Sequence, residues 1–271
     1  MPESPEVAAL AEFLDGRLAG RRVVGADVVE FRAVKTHDAG PETLVGETIA
    51  GASRHGKHVD LAVGDRHAIV SLGRHGWVRV VEDGDALPPD AAPALVRLDL
   101  DDGAALELTD AGEWVSAGVS VVADPREVAS VAKLGPDPAE PAFDPAPLRA
   151  ALARRKQARA LLQEQETIAG VGGAYSDEIL WAARIPPLVR ASDLDEAARD
   201  RLVAATIEVM RDAFAARRGI PIDRLKSAKA AAMNVHGRTG RPCPRCGGTI
   251  EDVPGAKGAA QHCPACQVLP G

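Results

Sequence analysis

The chain has few aromatic residues and no long hydrophobic run, and each absence excludes a class of protein. Phe, Trp and Tyr together make up 3% of the 271 residues, although hydrophobic residues as a group reach 46%. That fraction is sufficient for a core built mainly from aliphatic side chains. No apolar stretch approaches the ~20 residues that a membrane-spanning helix needs. We therefore expect a globular protein that does not cross a membrane.

Cysteine is absent from the first 242 residues, and all four cysteines fall in two C-x2-C turns near the C-terminus. This spacing is typical of a structural zinc site, in which four thiolates complete a tetrahedral shell. Two disulfides are the alternative, but the first residues lack the apolar core of a secretory signal peptide. We therefore predict a cytoplasmic protein with one structural Zn²⁺, bound by Cys243, Cys246, Cys263 and Cys266.

The chain has no excess of positive charge: it contains 32 Lys and Arg and 39 Asp and Glu, which gives a formal net charge of −7. Averaged over the chain, this charge argues against binding to nucleic acid. The basic residues are nevertheless concentrated in two stretches of the second half, 149–159 and 211–245. Such segregation is typical of a phosphate-binding face, although solvated helix surfaces also produce it.

The first residues, Met-Pro-Glu-Ser-Pro-Glu-Val, indicate a reactive chain terminus. The small penultimate residue Pro2 favours removal of Met1, which would leave a secondary amine. An α-amino group has an ordinary pKa near ~8, so part of it is a neutral nucleophile that can form a Schiff base with a sugar C1′. Ser4 and Pro5 are the predicted N-cap and first residue of a helix, whose dipole disfavours the ammonium form. Alone, the motif is short and unspecific.

The periodicity of the chain changes near its middle. Short Val- and Ile-rich segments separated by Gly and Asp turns predict strands at 22–31, 48–52, 59–63, 68–72, 78–82, 95–100 and 105–108. Helical spacing then predicts helices over 148–169, 174–184 and 194–218. We expect a β-rich domain at 1–133, a Pro- and Asp-rich linker at 134–145, a helical domain at 146–236 and a zinc module at 237–271.

A glycine turn, Gly170-Val171-Gly172-Gly173, leads into a predicted helix that contains Tyr175. Such a turn leaves backbone N–H groups available for a phosphate, although helix hairpins use glycine turns routinely. Three further motifs accompany it: the Met-Pro-Glu-x-Pro-Glu-Val start, Arg54-His55-Gly56-Lys57 before a strand, and Val235-His236-Gly237-Arg238 before the cysteines. With these motifs in this order, the chain resembles the formamidopyrimidine-DNA glycosylase and endonuclease VIII family along its whole length.

The resemblance implies an α+β fold. It consists of an N-terminal helix with a two-sheet β-sandwich, a helix-two-turn-helix domain and a C-terminal zinc β-hairpin. It also implies a monomeric, bifunctional DNA glycosylase and AP lyase of base excision repair, which acts on damaged double-stranded DNA. Pro2 would attack C1′ of the damaged nucleotide before β- and δ-elimination, with Glu3 as acid and base. Lys57 would reach into the lesion site, and Glu6 would hold the reactive terminus.

The family pattern also implies the residues that contact DNA, and several of them depart from it. Gly173 replaces a usual Asn, and Gly258 replaces a usual Arg, so two contacts with phosphates are missing. The segment 226–234 is predicted to be a mobile loop over the base pocket. The implied contacts come from Arg74, Trp114, Arg159, Gly172, Gly173, Tyr175 and Lys257.

Three functional interpretations remain open from the sequence. The first is a glycosylase with an altered lesion preference, and the second is an AP lyase with weak glycosylase activity. The third is a protein that binds damaged DNA without catalysis, against which the intact Pro2, Glu3 and Lys57 argue. The preferred lesion is not decided by these residues: an oxidised purine, an oxidised pyrimidine, an abasic site and a bulkier adduct all remain candidates.

Overall fold

A computed structural model describes residues 1–256 and 258–268 of the chain. Two compact units are distinguished within it. The first combines Met1–Pro2 with Val7–Ala132, and the second combines Glu3–Glu6 with the chain from Lys133 onward. Within the described ranges, none of the helices combines the length and the apolar composition that crossing a bilayer requires.

The first unit contains eight strands in two antiparallel sheets. The strands are β1 (Val23–Val28), β2 (Ile49–His55), β3 (His58–Val63), β4 (Arg66–Ser71), β5 (Gly76–Val81), β6 (Ala94–Leu100), β7 (Ala105–Asp110) and β8 (Gly118–Val122). One sheet has the strand order β1-β6-β7-β5 and the other β2-β3-β4-β8. Helix α1 (Ser4–Leu18) precedes the strands, and the single turn α2 (Ala129–Ala132) follows them. Short 3-10 helices lie at Phe31–Ala33, Pro41–Leu44 and Pro125–Glu127.

The two sheets bury their facing sides in one aliphatic core. Leu61 and Val70 of one sheet line the same interior as Leu98 and Leu108 of the other, and all four side chains are buried. Two apolar sheet faces packed on each other form a sandwich, so the predicted β-sandwich is confirmed. The sequence interpretation missed β8, although its valines carry the strand signal.

The second unit is helical and ends in a short hairpin. Its helices are α3 (Ala146–Ala151), α4 (Ala158–Leu162), α5 (Gly173–Ala183), α6 (Glu196–Arg217) and α7 (Leu225–Ala232), with a 3-10 turn at Ala191–Asp193. Strands β9 (Glu251–Asp252) and β10 (Gln261–His262) pair antiparallel. Tyr175, Leu161, Leu202 and Met210 belong to one buried cluster within this unit. The predicted helical region and C-terminal hairpin are confirmed.

Two local predictions in this unit are wrong. The single helix predicted over 148–169 is interrupted between α3 and α4, where the N–H of Ala158 donates instead to the carbonyl of Val189. A hydrogen bond to a distant segment thus replaces one within the helix. The predicted mobile loop at 226–234 is mostly α7, because its Leu, Lys and Ala residues are strong helix formers.

Asp110 ends β7 and organises the loop that carries Trp114. Its buried carboxylate accepts hydrogen bonds from the N–H groups of Gly112 at 2.9 Å, Ser116 at 2.8 Å and Ala117 at 2.9 Å. Burial opposes ionisation, but these hydrogen bonds outweigh it and lower the pKa of Asp110 below its ordinary value. The ionised carboxylate therefore stabilises the folded loop.

We expect Asp110→Ala to lower the free energy of unfolding by about 3 kcal/mol at neutral pH. Each hydrogen bond to a charged group contributes about 1.5–3 kcal/mol, and losses at neighbouring bonds are not additive. Because the folded pKa is lowered, this stabilisation is present above the unfolded pKa of ~3.9 and is lost as the pH falls through the folded pKa. Urea unfolding across this pH range, with the exposed Asp90→Ala as control, measures the effect. A difference that persists unchanged at acid pH would contradict it.

Candidate active site at the start of the chain

Glu3 is buried where α5 begins. Its carboxylate accepts hydrogen bonds from the N–H of Gly172 and, at 3.0 Å, from the N–H of Ala174. The first N–H groups of a helix lack intrahelical partners and lie at the positive end of its dipole, so they stabilise a carboxylate. The prediction that this turn leaves its N–H groups available for a phosphate is therefore wrong for Gly172 and Ala174.

Glu6 lies one helical turn after Glu3 and is also buried. Its carboxylate accepts hydrogen bonds from the Tyr175 hydroxyl at 2.8 Å, from Arg217 Nε at 3.3 Å and from the backbone N–H of Glu3 at 3.0 Å. The predicted cap, Ser4, is the first helical residue, and within the described residues its buried hydroxyl has no hydrogen-bond partner. Glu6, rather than the Ser4 hydroxyl, thus binds a backbone N–H at the start of α1.

Tyr175 belongs to this carboxylate cluster and to the core of the second unit. Its side chain is only 1% exposed. Burial, followed by the negative charge of Glu6, raises the pKa of Tyr175 far above its usual range. The hydroxyl consequently keeps its proton and donates it in the hydrogen bond to Glu6. The phenol is inside the protein, and the predicted contact of Tyr175 with DNA stays a prediction.

Lys229 of α7 completes the cluster, although the sequence interpretation placed it only in the basic stretch 211–245 and gave it no catalytic or DNA-contacting role. Its Nζ lies 3.1 Å from Glu3 Oε1 and 3.1 Å from Glu6 Oε2, and 4.8 Å from the centroid of the Tyr175 ring. Lys229 and Arg217 are thus cations paired with these two buried carboxylates. Buried charges persist when they are paired and hydrogen-bonded, so these ion pairs help to keep both carboxylates charged.

Gly172 is the residue that permits Glu3 to approach α5. A Cβ built on Gly172 would lie 2.6 Å from the Glu3 carboxyl carbon, which is closer than real Cβ contacts allow. On the neighbouring Gly173, the one contact that a Cβ would make with the described residues is with Arg159 Nη2, at an ordinary 3.5 Å. A side chain is therefore excluded at the first position by Glu3 and tolerated at the second.

Lys57 lies in the first unit, in the two-residue turn between β2 and β3. Gly56 before it has a φ of 54°, which favours glycine. Close by, Asp60 accepts from two histidines, with Oδ2 2.9 Å from His55 Nε2 and Oδ1 2.8 Å from His67 Nδ1. Burial opposes ionisation of Asp60, but these two contacts outweigh it and lower its pKa. A buried, charged centre thus supports the hairpin that carries Lys57.

Arg74 and Trp114 line one cleft of the first unit, together with His75 and Gly112. The Trp114 side chain is 79% exposed, and Arg74 is also exposed. An exposed indole can stack on a base, and a guanidinium beside it can bind a phosphate. The structure therefore brings these two predicted DNA-contacting residues together, and their contact with DNA stays a prediction.

Arg159 lies in the second unit and is held by α5. Its Nε is 2.6 Å from Oδ1 of the buried Asp177, and its Nη2 donates to the carbonyl of Ala259 at 3.1 Å. Asp177 also accepts from His236 Nδ1 at 2.7 Å. Lys257, also predicted to bind DNA, lies outside the described residues. Next to it, Gly258 has a φ of 89°, so an Arg in its place would be strained.

The four cysteines form one cluster in the second unit, and each is a free thiol. Their Sγ atoms all lie within 4.8 Å of one another. Zinc–sulfur bonds of about 2.3 Å in a tetrahedron place sulfurs about 3.8 Å apart, close to the 3.9 Å and 3.5 Å of the pairs Cys243–Cys266 and Cys246–Cys263. The arrangement can hold a metal ion.

Cys243 is the cysteine that α5 supports directly. Burial opposes ionisation of its thiol, but hydrogen bonds from the Trp181 indole and from the N–H groups of Arg245 and Cys246 lower the pKa of Cys243 to about 6. The Trp181 Nε1 to Cys243 Sγ distance is 3.3 Å. Arg245 in turn lies 4.0 Å from the centroid of the Trp181 ring. The thiolate required of a metal ligand is therefore favoured before any metal binds.

Family comparisons agree with this arrangement. The formamidopyrimidine-DNA glycosylase N-terminal domain matches residues 1–114, and the H2TH domain of the same glycosylase matches residues 134–223. The chain belongs to this family. As a formamidopyrimidine-DNA glycosylase family member, it is a base-excision-repair DNA glycosylase, a hydrolase with AP lyase activity.

Similar proteins match nearly the whole chain. The formamidopyrimidine-DNA glycosylase of Parafrankia sp. is 36% identical over 295 residues, covering 100% of this chain and 99% of the relative. That of Alkalilimnicola ehrlichii is 33% identical over 277 residues, covering 98% and 100%. The Lactococcus lactis glycosylase, solved with DNA containing N7-benzyl-Fapy-dG, has a TM-score of 0.87 at 27% identity, covering 98% of this chain and 99% of that one.

We expect Gly172→Ala to lower the rate of strand cleavage at an abasic site by about tenfold or more. The new methyl group displaces the Glu3 carboxylate from its N–H donors, and one hydrogen bond to a charged group contributes about 1.5–3 kcal/mol. Gly16→Ala, a matched exchange where a Cβ meets none of the described residues within 4 Å, is the control. Cleavage kinetics with a synthetic abasic duplex measure the effect. Equal rates for parent and Gly172→Ala would show that cleavage does not depend on the placement of the Glu3 carboxylate at these N–H donors.

Proposed function

We propose that this chain excises damaged bases from double-stranded DNA and then cuts the strand, with Pro2 as the covalent nucleophile. The observation that carries the proposal is the placement of Glu3, directly after Pro2, as a buried carboxylate bound to the start of α5. Similarity to glycosylases solved with damaged DNA, including a Lactococcus lactis complex with an abasic site at 28% identity, supports damaged DNA as the substrate.

The proposed first step joins the Pro2 nitrogen to C1′ of the damaged nucleotide. The N-glycosidic bond breaks, and the base leaves with its electron pair. Glu3, as a carboxylate, takes the proton that the amine loses and returns it to O4′ as the sugar ring opens and the Pro2 iminium forms. Fixed N–H donors suit this role, because they hold the carboxylate without supplying a competing acid.

The iminium then makes strand cleavage possible. It acidifies the proton on C2′, whose removal expels the 3′-phosphate by β-elimination. A second elimination along the conjugated system expels the 5′-phosphate, and water hydrolyses the iminium to release Pro2. In this scheme Lys57 binds within the lesion site as a cation, which suits the supported hairpin on which it lies.

The proposed DNA contacts are those of exposed side chains. The cleft that holds Arg74 and Trp114 suits a partly unstacked duplex, because a base must leave the stack before its C1′ can be attacked. Arg159 is paired with Asp177, and its side chain is only 13% exposed. It therefore supports DNA binding mainly by holding the carbonyls of Gly173 and Ala259 in place. Gly172 acts through Glu3 rather than through DNA.

We further propose that the metal is one structural zinc ion held by Cys243, Cys246, Cys263 and Cys266. Four thiolates complete its shell, so the ion does no chemistry and instead fixes the β9–β10 hairpin. The spacing of the sulfurs supports this assignment.

Pro2 can react only after Met1 has been removed, because its nitrogen otherwise lies in an amide bond. With processed protein, borohydride and abasic DNA, we expect a covalent complex that peptide mapping places on residue 2. Protein that keeps Met1, confirmed by intact mass, is the control and should give none. A cross-link on Lys57 in processed protein would contradict the assignment. Comparing abasic with 8-oxoguanine duplexes separates a full glycosylase from an AP lyase with weak glycosylase activity.

Removal of zinc is expected to abolish binding to duplex DNA while the β-sandwich stays folded. Metal binding is coupled to folding in small modules of this kind, and the sandwich belongs to the other unit. Metal analysis, DNA titration and circular dichroism of the protein before and after chelation measure its zinc content, its affinity for duplex DNA and its folded state. Re-addition of zinc is the control. Apo protein that binds DNA as tightly as holo protein would contradict the prediction.

A further inference from the structure

Helix α7 brings one cation into contact with both carboxylates at the chain terminus. Lys229 Nζ is 3.1 Å from Glu3 and 3.1 Å from Glu6, and its side chain is 11% exposed. Lys226, one turn earlier on the same helix, is exposed instead. A lysine that serves only to bind phosphate belongs in the position of Lys226, because a buried ammonium already paired with two carboxylates is poorly placed to reach DNA.

The two carboxylates depend on this cation to different degrees. Glu6 also binds Arg217 and the Tyr175 hydroxyl, so its charge is matched without Lys229. The other donors to Glu3 described above are backbone N–H groups of α5, which carry no full charge. Lys229 thus adds a full positive charge that offsets the repulsion between Glu3 and the nearby Glu6.

We propose that Lys229 is a positioning residue that keeps Glu3 ionised and aligned beside Pro2. The inference rests on the proposed function, in which Glu3 must accept a proton from the attacking amine. An ammonium 3.1 Å away favours the carboxylate over the carboxylic acid and fixes its orientation. Lys229 therefore sets the rate of the steps that use Glu3, not the affinity for DNA.

The test uses single-turnover cleavage of an abasic duplex at saturating protein, so that rate and affinity are measured separately. Lys229→Met is expected to lower the rate constant about ten- to hundredfold, the loss expected for one hydrogen bond between charged groups, with little change in Kd. Lys226→Met removes the same charge from the same helix and is the matched comparison. Lys229→Arg, which restores the charge, should recover most of the rate.

The pH profile provides a readout that a purely structural role would not move. Glu3 shares Lys229 with Glu6, and this cluster also contains Tyr175 and Arg217. In the processed protein, the Pro2 amine one residue before Glu3 is a further titratable group. Without the ammonium, the Glu3 carboxylate holds its proton to higher pH. The acidic limb of the rate profile should therefore move to higher pH in Lys229→Met and stay in place in Lys226→Met.

Each result supports or overturns the inference. Equal rate constants and pH profiles for parent and Lys229→Met overturn it, and so does a loss of affinity alone that Lys226→Met reproduces. Should Lys229→Met fail to fold, Lys229→Gln keeps a hydrogen-bond donor without the charge and takes its place. The parent's borohydride cross-link is measured first. If the cross-link forms on residue 2 and the variant rates are unchanged, only the role of Lys229 fails. If the parent protein forms no cross-link, the proposed function is overturned as well.

Discussion

The second unit is organised around an ionised carboxylate buried at a helix start. Removing Glu3 from water is costly, and the structure offsets this cost with the N–H groups of Gly172 and Ala174 and with the ammonium of Lys229. These donors lie at fixed places in the backbone and on α7. The requirement for a glycine at 172 follows directly, because the carboxyl group occupies the space of a Cβ.

Helix α5 extends the same principle along its length. Beyond the donors to Glu3, its Asp177 binds Arg159 and His236, and its Glu178 accepts the N–H groups of Val235 and other residues of that segment. Near its end, Trp181 donates to Cys243. One helix thereby connects the acid and base of the proposed reaction to the cysteine cluster. Its acidic residues are buried because they bind backbone and basic groups, not because they act on substrate.

Local motifs were enough to predict part of the site. Pro2 and Glu3 are adjacent in the sequence, and the spacing of the cysteines is typical of a metal site. Both groups of residues can therefore be predicted without knowledge of the fold. Tyr175 was assigned to DNA because its position in the motif does not reveal the direction of its side chain. Lys229 was missed because it meets Glu3 across 226 positions of the chain, and a contact of that range leaves no periodic signal.

The error at α7 arose although the composition of the segment favours a helix. The segment Leu-Lys-Ser-Ala-Lys-Ala-Ala-Ala contains a single large apolar residue, Leu225, so it has little of the apolar stripe by which helices are recognised. Ala, Leu and Lys nevertheless have the highest helix propensities. A helix with so small an apolar face needs another attachment to the unit, and the ion pairs of Lys229 with Glu3 and Glu6 supply one. The contacts that position the carboxylates thus also help to hold the helix from which Lys229 projects.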